Sequence, residues 1–299
     1  MKKVLFATTA LVATAGVAAA DITFSGYGRF GVQYTDDGTN DSLDVTSRLR
    51  LQIDVSAESD AGVTFGARTR FQTAEGEGDT GMNGVRFFAR TNGFEVGVGN
   101  FYGALENMPG MYDIDLGLTG LGYDYTAFNS RGDAYSSSGA GNSGDNGIEV
   151  IYSVGDFKAH VSASETSDRI AAVASYNYNG WTMAAAVQDS DNDVDTEWAL
   201  SVSGNFGPAM VSLAYAANGD EDDVVNGVQG GDHIVLAARF DIGAATNIEA
   251  YVADADYFAE TSYGIDFNHD MGGGTSLRGG VASLGDDSTI ADLGVRFNF

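Results

Sequence analysis

The sequence predicts an all-β protein, a sixteen-stranded antiparallel transmembrane β-barrel with a long third outer loop folded into the lumen. Three observations predict it. Apolar and polar residues alternate with a two-residue period along nearly the whole chain, and the connections between the alternating segments are short and long in turn. Cys is absent from 299 residues, while Gly reaches 41 and Pro only 2. Strict alternation puts one face of a strand in an apolar medium and the other in water. A glycine-rich chain without cysteine must take its stability from a large core or a membrane, since disulfides are not available to it.

The N-terminus comes first. Lys2 and Lys3 precede an apolar run over 4–17 that is too short for a permanent membrane helix, and Ala18, Ala19 and Ala20 form a small-residue cleavage pattern. Residues 1–20 are therefore expected to be a cleaved signal peptide, and 21–299 the barrel domain.

The alternating segments follow at 22–35, 43–56, 62–73, 85–91, 94–99, 148–154, 157–164 and 170–178. They continue at 181–188, 196–206, 209–216, 233–241, 247–253, 262–268, 276–283 and 289–299. In the third, Val63, Phe65, Ala67, Thr69 and Phe71 share one face, and Thr64, Gly66, Arg68, Arg70 and Gln72 the other. Connections after even segments, such as 155–156, 179–180 and 207–208, read as hairpin turns. The alternate connections are mostly longer and acidic, at 36–42, 75–81, 189–195 and 218–232. Tight turns at one end and charged loops at the other are the layout of an outer-membrane barrel. Phe94, Tyr176, Tyr178, Trp181, Phe206 and Phe240 cluster on the apolar phase beside the short turns, where an aromatic girdle belongs, and Tyr34 and Trp198 sit towards the other rim. A soluble sandwich would need two packed inner faces, which sixteen similar hairpin strands fit poorly.

Charge narrows the function. Fifteen basic residues against 42 acidic give a net charge of −27, which disfavours nucleic acid and an anionic leaflet and points to divalent cations as ionic companions. The scarce arginines are not scattered. Arg29, Arg48, Arg50, Arg68, Arg70, Arg86 and Arg90 all fall on the polar phase of neighbouring strands, so they line one wall of an aqueous bore. The connection at 100–146 is too long for a simple loop, and loops of that length are usually functional. It carries Glu106, Asp113, Asp115 and Asp124; folded inwards, these would face the arginines and set up a transverse field that favours polar solutes while the gap limits their size. Net charge gives a lean towards cations, although the arginine wall draws anions locally.

The residues DITFSGYGRFGVQY at 21–34, NIEAYVADAD at 247–256 and MGGGTSLRGGVASLGDDSTIADLGVRFNF at 271–299 resemble the trimeric general diffusion porins of Rhodobacter type. The resemblance covers essentially the whole mature chain. It implies a sixteen-stranded homotrimeric barrel in the outer membrane of a Gram-negative bacterium, among outer-membrane lipid and lipopolysaccharide, passing small hydrophilic solutes and ions by passive diffusion. It also implies calcium near acidic loops and a terminal aromatic, here Phe299, as insertion signal. Carried over residue by residue, the basic wall of the constriction is Arg29, Arg48, Arg50, Arg68, Arg70 and Arg86, and the acidic loop supplies Glu106, Asp113, Asp115 and Asp124.

Other motifs carry less. Gly26, Gly28 and Gly31 match a dinucleotide pattern, yet alternation runs through them and no helix follows. The acids at 189, 191, 193, 195 and 197 lack the turn glycine and final glutamate of a calcium loop. His160, His233 and His269 stand singly without cysteine partners, so no metal site is assigned, and His160 falls on the inner phase. A lipid hydrolase would need a nucleophile and base facing lipid, so no catalytic residue is expected. A calcium-binding sandwich adhesin is the remaining alternative.

Overall fold

The computed structural model describes residues 20–75, 81–128, 147–165, 168–191, 195–219 and 230–299; the expected signal peptide lies outside them. Seventeen strands occur among the described residues. In chain order they are β1 (Asp21–Asp36), β2 (Asp41–Glu58), β3 (Thr64–Ala74), β4 (Gly81–Met82), β5 (Arg86–Thr91) and β6 (Phe94–Gly99), then β7 (Gly147–Val154), β8 (Phe157–Ser164), β9 (Ile170–Tyr178), β10 (Trp181–Asp189) and β11 (Glu197–Phe206). The last six are β12 (Ala209–Ala217), β13 (Asp232–Ile242), β14 (Thr246–Ala255), β15 (Ser262–Gly272), β16 (Thr275–Ser283) and β17 (Thr289–Asn298). Sequence neighbours pair antiparallel, except that β4 and β5 both pair with β3, and β1 pairs with both β2 and β17, which closes the ring. Closure leaves no free sheet edge, the condition for strands to cross a bilayer.

The extra strand comes from an interruption in the fourth segment. The Asn83 side chain accepts the Arg70 backbone N–H at 2.6 Å, and the Thr69 hydroxyl donates to it at 3.1 Å, so a side chain stands in for the ladder. Pairing resumes from Arg68 opposite Arg86, and the two-residue β4 and β5 together form one stave of a sixteen-stave barrel. The first outer connection also differs from the expected charged loop. β1 and β2 stay paired to Asp36 opposite Asp41. A tight turn joins them, in which Asp37 accepts the Thr39 and Asn40 amides at 2.9 and 2.7 Å.

Outward positions carry exposed apolar side chains around the ring, among them Phe24, Phe30, Val45, Phe87, Val150, Leu200, Leu236, Ile265 and Leu293. In water such a band would be untenable; against hydrocarbon it is the stabilising surface. It also excludes the soluble sandwich, whose large apolar residues would be inside. Phe297 covers Gly28 on this face, directly opposite it in the ladder.

The inner face is mainly polar on one side only. On β9 to β14 and β16 many inward positions are small and apolar, among them Ala171, Val173, Ala184, Ala186, Ala199, Ala214, Ala216, Val235, Ala237, Ala253 and Ala282. Into this half packs the described part of the long connection, residues 100–128. Leu105, Met108, Met111, Ile114, Leu116 and Leu121 are all at most 3% exposed, and burying each contributes about 1.5–3 kcal/mol. The hydrophobic core cluster of the described residues therefore lies inside the barrel, between loop and wall.

Candidate functional site

Three wall carboxylates hold the loop by its backbone. Glu249 on β14 accepts the Asp115 amide at 3.0 Å, Asp266 on β15 accepts the Gly117 amide at 2.6 Å, and Asp292 on β17 accepts the Leu118 and Thr119 amides at 2.9 and 2.7 Å. The Thr119 hydroxyl adds a bond to Asp292 at 2.8 Å. Gly117 has φ +66 and its position opposes Asp292 so closely that a side chain would collide with the carboxylate, which is why a glycine stands at this bend. Further ties run around the barrel: Ser162 accepts from Ala104 at 2.8 Å, Ser201 donates to the Pro109 carbonyl at 2.5 Å, and Asn218 donates to that of Ala127 at 3.2 Å.

So anchored, the loop turns its polar edge towards β17, β1 and β2. An open cavity of about 540 Å³ lies between them, lined by Arg29, Arg48, Arg50 and Arg296 from the wall and by Glu106 and Asp115 from the loop. Barrel closure makes the cations adjacent, because Arg29 stands directly opposite Arg48 on one side and Arg296 on the other. Tyr27 lies between two of them, its ring 4.4 Å from the Arg296 guanidinium and 5.4 Å from that of Arg50, cation–π distances that hold both side chains out into the lumen. Arg29 reaches across to the Leu118 carbonyl at 2.7 Å, and Arg50 gives its Nε to Gln72 at 2.7 Å. Asp115 is bridged by Arg278 at 2.7 Å and Arg296 at 2.9 Å. Glu106 accepts from the Tyr112 hydroxyl at 2.5 Å; burial and this carboxylate push the Tyr112 phenol well above its usual range.

The expected site residues separate into groups. Arg29, Arg48 and Arg50 line the cavity with Glu106 and Asp115. Arg68 instead meets Asp54 at 2.6 Å, Arg70 meets Gln52 at 2.9 Å and the Tyr102 hydroxyl at 3.1 Å, and Arg86 bonds Glu95 and Glu149, each at 2.5 Å. Asp113 is turned away from the cavity and its Oδ2 is buried without a hydrogen bond among the described residues. Asp124 lies at another part of the rim, accepting the Gly285 amide at 2.8 Å, and burial raises its carboxyl above the ordinary range. Sequence reasoning missed Arg278 and Arg296, far along the chain and brought beside Arg29 only by closure. It also missed Glu249, Asp266 and Asp292, whose sole sequence signal is an acid at an inward strand position.

The histidines are placed as follows. His160 faces inward and bonds Glu149 at 2.8 Å. His233 faces inward between Tyr257, at 2.7 Å, and the Asp124 carbonyl, at 3.1 Å. His269 is exposed near a short turn, 2.8 Å from the Thr246 hydroxyl. Among the described residues no three acids or histidines converge to hold a metal, and most of the acidic loops expected to attract calcium lie outside the described residues.

Comparison with known proteins agrees with this architecture. A family model described as Gram-negative porin matches residues 7–289. A porin of Fuscovulum blasticum is 32% identical over 302 residues, covering 93% of this chain and 100% of the relative, and one of Rhodobacter capsulatus is 29% identical over 316 residues with the same coverage. Among solved structures, a mutant of Rh. blastica porin superposes with a TM-score of 0.79 at 30% identity, covering 93% of this chain and 100% of that one. A triple mutant of Rhodopseudomonas blastica porin gives 0.78. A closed barrel greasy outside, narrowed within by an anchored loop, and alike over its length to these proteins belongs to the Gram-negative porin family, the channels of the outer membrane.

Proposed function

We propose that this porin passes small hydrophilic solutes and ions by passive diffusion through a constriction whose basic side is Arg29, Arg48, Arg50 and Arg296 and whose acidic side is Glu106 and Asp115. The observation that carries the reading is the convergence of these six groups on one water-accessible cavity between loop and wall. Arg68, Arg70 and Arg86 continue the basic wall beside it. Asp115 is already bridged twice, so cationic charge is in excess along this cavity. Exposed charges on the outer loops are screened over a Debye length of about 8 Å, and the local lining therefore outweighs the net charge of −27. The channel reads as preferring anions, against the lean that net charge alone suggests.

A homotrimer set in outer-membrane lipid and lipopolysaccharide completes the proposal, supported by the porin resemblance and by the long apolar outer faces of β1 and β2, with Ile22, Phe24, Leu43 and Val45 exposed. The deciding experiment is the reversal potential of reconstituted channels across a potassium chloride gradient. Arg48→Gln with Arg50→Gln, or Arg296→Gln alone, should move it towards cation preference; a potential identical to that of the unmodified channel would remove the constriction assignment.

A further inference from the structure

A second, smaller chamber of about 220 Å³ adjoins the constriction behind the root of the loop, with Tyr102 and Asn107 shared between the two. Its cations are Arg68, Arg70, Arg86 and Lys158; its acids are Glu95 and Glu149. Both acids are already engaged. Arg86 bonds each at 2.5 Å, and Glu149, only 3% exposed, also holds His160 at 2.8 Å. Arg68 commits its Nε to Asp54, and Lys158 makes no ion pair among the described residues. The lining thus keeps cationic donors in excess, with Arg68 and Arg86 oriented by their ion pairs and Lys158 uncommitted, while its carboxylates are neutralised by Arg86 and His160.

We propose that this chamber binds a small oxyanion, with Lys158 and the Arg68 guanidinium as principal donors. The ligand group is a carboxylate or phosphate, carried by a solute in transit or present as free phosphate. A cation finds no unengaged acid there, whereas an oxyanion meets the Arg68 guanidinium, held in place by Asp54, and the Lys158 ammonium, which has no competing ion pair among the described residues. The inference rests on the channel reading, since the chamber opens beside the constriction and is loaded from it.

The test uses full-length channels in planar bilayers carrying a chloride current, titrated with inorganic phosphate in one arm and acetate in the other. Occupancy of the chamber should lower the single-channel current saturably, and the arm that does so names the source of the oxyanion. Lys158→Gln should raise the concentration for half-maximal block about tenfold, the effect of one charge-assisted bond, and Lys158→Arg should restore it. Currents that fall without saturating in both arms, or a half-maximal concentration unmoved by Lys158→Gln, would overturn the proposal. Absence of any chloride current from the unmodified protein would instead defeat the channel reading.

Discussion

Asp292→Ala tests the anchoring of the loop most directly. The carboxylate receives two backbone amides, from Leu118 and Thr119, and the Thr119 hydroxyl, at 2.7–2.9 Å by the shorter contacts. A hydrogen bond to a charged acceptor has a net worth of about 1.5–3 kcal/mol. Lumen water can take over the donors of Thr119, which is part-exposed, but reaches the buried Leu118 amide poorly. The expected loss in loop docking is therefore about 2–4 kcal/mol, less than three independent bonds would give, and it lowers the ratio of docked to released loop roughly thirty- to a thousandfold. Glu249, Asp266 and the apolar cluster remain, so the barrel itself should assemble normally. Hydrogen exchange should show the amides around 117–119 losing protection while the strands keep theirs, and single-channel records should become noisier with a larger mean conductance. Unchanged protection at 118 and 119 would refute the clamp, whatever happened to conductance.

Glu149→Gln removes the buried charge that faces Arg86 and His160 and leaves one acceptor oxygen where two had served them. Arg86 keeps Glu95, so the cost should sit near the low end for a broken buried pair, about 3 kcal/mol, read as a lowered urea midpoint for the refolded chain in lipid vesicles; an unmoved midpoint would contradict it. Asp124 has its carboxyl raised by burial, so folding favours its protonated form, and the local docking it supports weakens as pH rises through that elevated value. Asp124→Asn, which can still accept from Gly285, should make hydrogen exchange near 124 slower at neutral pH and converge with the unmodified chain in acid; an effect of the same size at both pH values would count against burial as the cause.

The sixteen staves, their order and their facing were legible in the sequence because a strand with lipid on one side and water on the other must alternate with period two, and a one-residue slip would put arginine into hydrocarbon. Hence Arg29, Arg48 and Arg50 could be placed on the inner wall from their phase alone. The neighbours that ring closure creates could not be read that way. Closure sets Arg296 beside Arg29, from the opposite end of the chain, and makes β17, β1 and β2 one basic surface. The course of the long connection was equally hidden, since residues 100–128 have no periodicity of their own and are shaped by what they meet. Alanines on the inner faces of β9 to β14 leave room for Leu105, Met111 and Leu116, and Glu249, Asp266 and Asp292 take up amides that the loop cannot satisfy within itself. Local alternation is fixed by the medium on each side of a strand and so is written residue by residue. Which acid meets which arginine depends on contacts between segments more than a hundred residues apart, and only the folded chain decides them.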